Sequence, residues 1–300
     1  MQVSIIIVNY NTKTLLKNCI SSIYQHTKDI QFEIIVSDNG STDGSIEMIK
    51  SDFTEIKLIE NNANIGYGAA NNRGLDIASG KYIFYLNSDT LLLNNAIKIF
   101  FDYWENYKNP EILGALGCNL LNDKGEIANS HGKFFSFKND VKSFINEYTY
   151  LLLTTVGYKS GRKQYPAIKH LGEVDIIVGA ALFLLNNQDA RFDEYFFLYH
   201  EEADLELQLS KKNKKRILID GPSIIHLEGC SNKTNPSNNK YADFCSFSRI
   251  HDDLSRIKYN KKNNKNLLKI FILKLLLSLI WCYPPIIKST SRYFKVLWRI

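Results

Sequence analysis

Apolar residues in the first third of the chain fall into short unbroken runs, separated by stretches where they recur every three or four positions. Residues 3–8 are one such run, dominated by Val and Ile and stopping at Asn9-Tyr10-Asn11. A run without alternation predicts a strand covered on both faces. In residues 14–25 the apolar positions Leu15, Leu16, Cys19, Ile20 and Ile23 have the spacing of an amphipathic helix. The same alternation gives strands at 32–36, 56–60 and 82–86, and helices at 46–51 and 69–78. Between the third strand and the next helix, residues 61–68 form a polar, glycine-containing loop. Four strands interleaved with three helices predict an α/β fold with a doubly wound, mostly parallel sheet.

The second half is less regular. A helix is expected at 96–104 and a strand at 112–118, but residues 120–171 show no period and could hold an insertion, a hairpin or a mobile flap. Order returns in the apolar stretch 174–185, which carries Gly179-Ala180 at its middle. A helix follows through Leu205, Leu207 and Leu209, opened by the acidic run Glu201-Glu202-Ala203-Asp204. Strands are expected at 216–220 and at the start of 224–231, then a flexible polar loop at 232–239.

Composition changes this picture in two places. Hydrophobic residues at 45% and charged residues at 23% allow a sizeable core, as one large domain or one domain with an appendage. The net charge of +6 is unevenly placed: residues 249–300 hold twelve Lys or Arg against two acids, +10 in all, leaving −4 for the rest. We therefore expect a mildly acidic domain at 1–248, with halves 1–118 and 119–248, and a basic, apolar tail at 249–300. The five cysteines are scattered and lack CxxC spacing, which argues against a zinc site or a disulfide framework. The N-terminus enters a strand without a basic leader, so a cytosol-facing protein is expected.

Candidate chemistry collects where strands end. Tyr10, Asp38 and Asp89 each follow an apolar strand, and in open α/β sheets ligands bind beyond those carboxyl ends. Each alone reads as a turn or a helix cap. Together they suit a nucleotide: a ring to stack on the base, a carboxylate for base or ribose, and a carboxylate that holds a divalent cation against phosphate oxygens. Gly66-Tyr67-Gly68-Ala69-Ala70-Asn71 fails as a dinucleotide fingerprint, because Asn71 takes the third glycine place and no strand precedes it. No Walker lysine motif is present, which argues against ATP-driven phosphoryl transfer.

These residues also carry a resemblance. Ile5-Ile6-Ile7-Val8-Asn9-Tyr10-Asn11, Val36-Ser37-Asp38-Asn39-Gly40-Ser41-Thr42-Asp43-Gly44-Ser45 and Leu86-Asn87-Ser88-Asp89-Thr90 stand in the order of the strand-end motifs of the family 2 glycosyltransferases. Asn64-Ile65-Gly66-Tyr67-Gly68-Ala69-Ala70-Asn71-Asn72-Arg73-Gly74-Leu75 is similar to the signature of a rhamnosyltransferase-containing subgroup of cell-surface polysaccharide synthesis. The resemblance covers roughly the first 230 residues. It implies a GT-A fold and inverting transfer from a nucleotide-diphospho-sugar to a lipid-linked or oligosaccharide acceptor, with Mg2+ or Mn2+. Asn9, Tyr10, Asp38, Asn64, Gly66, Asn71, Arg73, Asn87 and Ser88 would contact the donor. Asn87 replaces the first Asp of the family's DxD, a departure common in that subgroup, so Asp89 would be the metal carboxylate, with His226 as a possible second ligand. Gly179, Ala180 and Asp204 would lie on the acceptor side. Glu202 by position, or Glu201 beside it, would take the proton of the acceptor hydroxyl.

The stretch 267–283, interrupted by Lys269 and Lys274 and ended by Pro284-Pro285, sits at the lower length limit of a membrane span. Flanking Trp, Tyr and Arg suit a helix lying in the inner membrane surface. The alternative is a core or dimer helix. Nucleic acid is not expected, since these cations alternate with long aliphatics. Two other functions remain at this point: a nucleotidyltransferase on the same fold, and a non-catalytic glycan- or nucleotide-sugar-binding protein.

Overall fold

The computed structural model describes residues 1–157, 167–227, 241 and 244–300; the expected loop at 232–239 lies outside the described residues. The chain divides into two compact units. One comprises Met1–Phe134, Ala167–Phe197 and Glu201–Ser231, and the other Phe135–Pro166, Leu198–His200 and Asn232–Ile300.

The first unit opens with the expected alternation: β1 (Val3–Asn9), α1 (Lys13–His26), β2 (Phe32–Asp38), α2 (Ser45–Asp52), β3 (Lys57–Glu60), α3 (Tyr67–Asp76) and β4 (Tyr82–Asn87). Next come β5 (Thr90–Leu92), α4 (Ala96–Glu105), β6 (Leu113–Cys118) and β7 (His131–Gly132). Here the chain passes into the second unit through α5 (Phe137–Thr155). It returns with β8 (Gly172–Glu173), β9 (Ile176–Ile177), β10 (Ala181–Leu185), α6 (Glu201–Lys211), β11 (Lys215–Ile219) and β12 (Ile224–His226). Among the described residues the main sheet has eight strands in the order β3-β2-β1-β4-β10-β6-β11-β8. β1 pairs in parallel with β2 on one side and β4 on the other, and β10 runs antiparallel between β4 and β6.

Both faces of this sheet are covered, which is why its strands read as unbroken apolar runs. Val3, Ile5 and Ile7 pack with α1 and α2 through Leu16, Ile20, Ile23 and Met48. Ile6, Ile35, Ile83 and Tyr85 face the other way, with Leu75 of α3 and Leu205 and Leu209 of α6. The helices after β1 and β2 thus share one face, and the helix leading into β4 takes the opposite one. That reversal puts a topological switch point between β1 and β4. Gly74 draws α3 close to the sheet, since a Cβ there would stand 2.5 Å from Ile6 Cγ2.

Residues 120–171, unorganised in the sequence, contain β7 and the 19-residue α5. The apolar stretch 174–185 is two strands, β9 and β10, bent apart at Gly179-Ala180. Asp89 and Thr90 do not cap α4; Thr90 starts β5, which pairs with β12.

The second unit holds α5, α7 (Phe247–Asn264), α8 (Leu267–Trp281), α9 (Ile287–Thr290) and α10 (Phe294–Arg299). Ser136, Ser246 and Asn266 cap α5, α7 and α8 with side-chain oxygens that accept from Asn139, Arg249 and Lys269 N–H groups. Phe144, Leu151, Leu254, Ile257, Leu273, Leu277 and Trp281 form its core. The basic stretch expected as a tail therefore packs one face of α8 inside this unit. No described helix is long and apolar enough to cross a membrane.

Helix α3 starts two residues earlier than its periodicity predicts, at a glycine where any side chain would be strained. Gly66 has φ +97°, and a Cβ on it would stand 2.5 Å from the carbonyl oxygen of Phe197. Gly66→Ala should destabilise the protein by about 1–3 kcal/mol, read as a lower urea midpoint. An unchanged midpoint would contradict the close approach.

Candidate active site at the carboxyl edge of the sheet

Asn9 and Asp38 are register partners on adjacent parallel strands, and both are fully buried. A carboxylate out of water needs donors. Asp38 Oδ2 accepts from Asn9 Nδ2 at 2.7 Å, and Oδ1 from the Gly40 and Ser41 N–H groups at 3.0 and 2.7 Å. Asn9 Oδ1 accepts from Thr12 Oγ1 at 2.6 Å, and Thr12 Oγ1 lies 2.9 Å from Ser88 Oγ. Asn11, with φ +54°, accepts from Thr42 N–H at 2.8 Å. Asn39 Nδ2 reaches the Gly66 carbonyl at 3.2 Å, and Asn64 Oδ1 accepts from Gly66 N–H at 3.0 Å. The loops after β1, β2, β3 and β4 are thereby joined into one polar seam. Asp38, expected to contact the base, has both oxygens engaged inside it. Tyr10 is 48% exposed on the seam's rim.

The seam continues toward α6 through Tyr67. Its hydroxyl donates to Asn87 Oδ1 at 2.9 Å and lies 3.1 Å from the Gly179 carbonyl. Burial, then the charge of Glu201, pushes the Tyr67 phenol up, so it remains a neutral O–H. A Cβ on Gly179 would meet Glu202 Cβ at 3.4 Å, an ordinary contact, so this turn and the Glu202 side chain are close neighbours. Glu202 is half-buried, whereas Glu201 is buried, its Cβ 3.7 Å from where a Cβ on Gly68 would lie. The two adjacent glutamates are thus distinguished by access: Glu202 is the one that solvent reaches.

Asp89 and His226 meet across the β5–β12 pair. His226 Nε2 lies 3.3 Å from Asp89 Oδ1, and Leu227 N–H donates to the Asp89 carbonyl at 2.9 Å. Among the described residues no group of three or more His, Cys, Asp and Glu is placed to hold a metal ion. One carboxylate and one imidazole would supply only part of the shell of a divalent cation and do not make an all-protein cage.

The structure also places the remaining expected residues. Arg73 is exposed in the last turn of α3, away from the loop at that helix's start. Asn71 is buried and donates to the Tyr67 carbonyl at 3.1 Å, which makes it a brace of α3. Asp204 is buried on α6, bonded to Gln208. Ala180 O accepts from Asn87 N–H at 3.0 Å and so ties the Gly179-Ala180 turn to the end of β4.

The residue that sequence reasoning missed is Glu206, one helical turn beyond Glu202. It is fully buried, and both its oxygens lie 2.9 Å from Ile177 N, which donates to them and pins β9 to α6. Burial pushes its carboxyl well above the ordinary value of 4.5; the Ile177 hydrogen bond opposes this and the Glu202 charge adds to it. The folded state therefore keeps a proton that the unfolded chain releases, and stability is lost as pH rises above that value. Glu206→Gln keeps the acceptor and has no proton to hold. Its Tm should match wild type near about pH 4 and exceed it increasingly toward about pH 8. A gap that is flat or closes with rising pH would contradict a neutral Glu206.

Residues 4–154 match the family model described as Glycosyl transferase family 2. The uncharacterized glycosyltransferase YfnE of Bacillus subtilis (strain 168) is 35% identical over 118 residues, which is 38% of this chain and 30% of the relative. The poly(ribitol-phosphate) beta-glucosyltransferase of Bacillus spizizenii is 31% identical over 121 residues, 39% of this chain and 19% of the relative. The chain thus spans less than a third of either relative's length. Among solved structures, S. aureus TarS superposes with a TM-score of 0.54 at 13% identity, over 94% of this chain and 44% of that one. The mannosyltransferase PcManGT of Pyrobaculum calidifontis, solved with GDP-Man and Mn2+, gives 0.54 at 15% identity, over 97% and 74%. At such identities the likeness shows the GT-A fold alone. With half of its length under the family model, the chain belongs to glycosyl transferase family 2.

Proposed function

We propose that this glycosyltransferase is inverting and metal-assisted, and moves a sugar from a nucleoside-diphospho donor onto a lipid-linked or polysaccharide acceptor of a surface glycan. The observation that carries the reading is the path Asn87–Tyr67–Gly179–Glu202, which brings a half-buried glutamate beside the β1–β4 switch point. The exposed Tyr10 ring offers a face for the base. Asp38 serves by fixing the loop around it, and Asp89 with His226 would hold the cation. That cation, when bound, neutralises charge on the diphosphate. Glu202 takes the acceptor hydroxyl's proton, the freed oxygen bonds to the anomeric carbon, and the bond to the diphosphate breaks with its electron pair leaving on the nucleotide.

The names of similar proteins supply the donors to screen: UDP-GlcNAc and GDP-Man occur with solved neighbours, and a glucosyltransferase is among the relatives. The α3 motif adds dTDP-rhamnose. Release of nucleoside diphosphate separates this reading from a nucleotidyltransferase, which releases pyrophosphate, and from a binding protein, which releases nothing. Glu202→Gln should lower transfer about a hundredfold or more with donor binding kept. Asp89→Asn should lower it steeply, with little change in Tm. Full activity of both variants, in the presence of EDTA, would overturn the proposal.

The second unit supports a place for the reaction, the cytoplasmic face of the cell membrane. Helix α8 buries Ile270, Leu273 and Leu277 but leaves Leu267 78%, Phe271 50% and Leu275 47% exposed, with Trp298 beside Phe271. Residues 267–300 contain six Lys or Arg and no acid, which suits an anionic bilayer. The full chain should sediment with phosphatidylglycerol vesicles, less so at higher salt, and Phe271→Asp with Leu275→Asp should abolish this while the protein stays folded. Equal indifference of wild type to anionic and neutral vesicles would make the face a dimer or core surface.

A further inference from the structure

Glu206 is a buried carboxyl that the proposed chemistry leaves unused, and it lies one turn beyond Glu202 on the same side of α6. Both its oxygens are 2.9 Å from Ile177 N, which donates to them. Two residues further along the chain, Gly179 meets Glu202. A Cβ on Gly179 would stand 3.4 Å from Glu202 Cβ and 3.7 Å from its carboxyl carbon. Four residues of helix rise about 6 Å, and two residues of extended chain span about 6.6 Å. Ile177 held at Glu206 therefore sets Gly179 at Glu202.

The turn has further anchors at its other end. Val178, Gly179 and Ala180 join β9 to β10, and β9 itself is two residues long. The Tyr67 hydroxyl, at the first residue of α3, lies 3.1 Å from the Gly179 carbonyl, and Asn87 N–H donates to the Ala180 carbonyl at 3.0 Å. The Tyr67 ring packs edge-on against Phe192, with centroids 6.1 Å apart. Burial, with the charges of Glu201 and Glu202, pushes the Tyr67 phenol up. Burial, with the charge of Glu202, pushes the Glu206 carboxyl up against its Ile177 hydrogen bond. Both anchors are thus neutral, and the Glu202 charge reaches each of them. All of these residues belong to the first unit.

We propose that Glu206 and Tyr67 are positioning residues for the base. They hold the turn against which the Glu202 side chain lies, Glu206 by setting its register along α6 and Tyr67 by fixing its other end. Each acts through the turn. The proposal rests on Glu202 as the base, since a displacement of about 1 Å there costs about a hundredfold in rate.

The test uses the full chain and reads the turn and the reaction separately. Glu206→Leu removes the acceptor facing Ile177 N–H, Glu206→Gln keeps one, and Tyr67→Phe keeps the ring without its hydroxyl. In hydrogen–deuterium exchange, Glu206→Leu and Tyr67→Phe should each speed the amides of residues 176–181 about fivefold or more. Glu206→Gln should match wild type. Transfer is followed with whichever of UDP-GlcNAc, GDP-Man and dTDP-rhamnose the wild type uses. Glu206→Leu and Tyr67→Phe should lower kcat about tenfold or more, with the dissociation constant for that donor unchanged, and Glu206→Gln should recover most of the loss. Should Glu206→Leu fail to fold, Tyr67→Phe carries the test. Unchanged exchange in Tyr67→Phe, an unchanged kcat, or a fall matched by weaker donor binding would overturn the proposal. Glu202→Gln separates the two readings: if it is inactive while Tyr67→Phe is fully active, only the positioning role fails. If Glu202→Gln transfers at the wild-type rate, the base assignment itself fails.

Discussion

A buried carboxylate must find its donors close by, and Asp38 is such a group. Its two oxygens take one side-chain amide and two backbone N–H groups, and this fixes the loop after β2 against the end of β1. From there each satisfied group places the next: Asn9 holds Thr12, Thr12 meets Ser88, and Asn39 fastens Gly66. The carboxyl edge of the sheet is therefore one connected polar surface. Polar networks of this kind are strong when every member is paired and costly when one is lost. That is the physical reason for Asn, Ser and Thr to crowd the strand ends here.

Much of this was legible in the sequence because burial on both faces writes itself as unbroken apolar runs. Residues 3–8 and 82–86 gave β1 and β4 nearly to the residue, and the turn formers after them marked the site. What could not be read was the direction of side chains within that site. Asp38 and Tyr10 look equally available in sequence, yet one is enclosed and the other exposed. Arg73 shares a motif with Gly66 but lies in the last turn of α3, where it is exposed. Glu206 sits in an ordinary Leu-Glu-Leu context, and only the fold shows that it faces Ile177 and not water. Helix α5 was hidden because its apolar positions serve the second unit, so no strand neighbours announced it.

The two units also divide the chemistry. The first carries the seam, Tyr67 and the glutamates; the second carries the cationic, apolar face of α8. In sequence the basic stretch reads as an appendage. In the structure its helices have their own core, and three residues from the middle of the chain belong with them. Tyr199 and His200, both with positive φ, lie where the chain passes from one unit to the other.

The central claim is that the joined loops at the β1–β4 switch point receive the nucleotide of the donor. Hydrogen–deuterium exchange, measured by mass spectrometry with and without nucleoside diphosphate and Mn2+, addresses it directly. The account predicts slowed exchange concentrated in residues 9–12, 38–45, 64–67 and 86–90, with α7 and α8 unaffected by the nucleotide. Protection confined to other segments, or none for UDP, GDP or dTDP at saturating concentration, would contradict it.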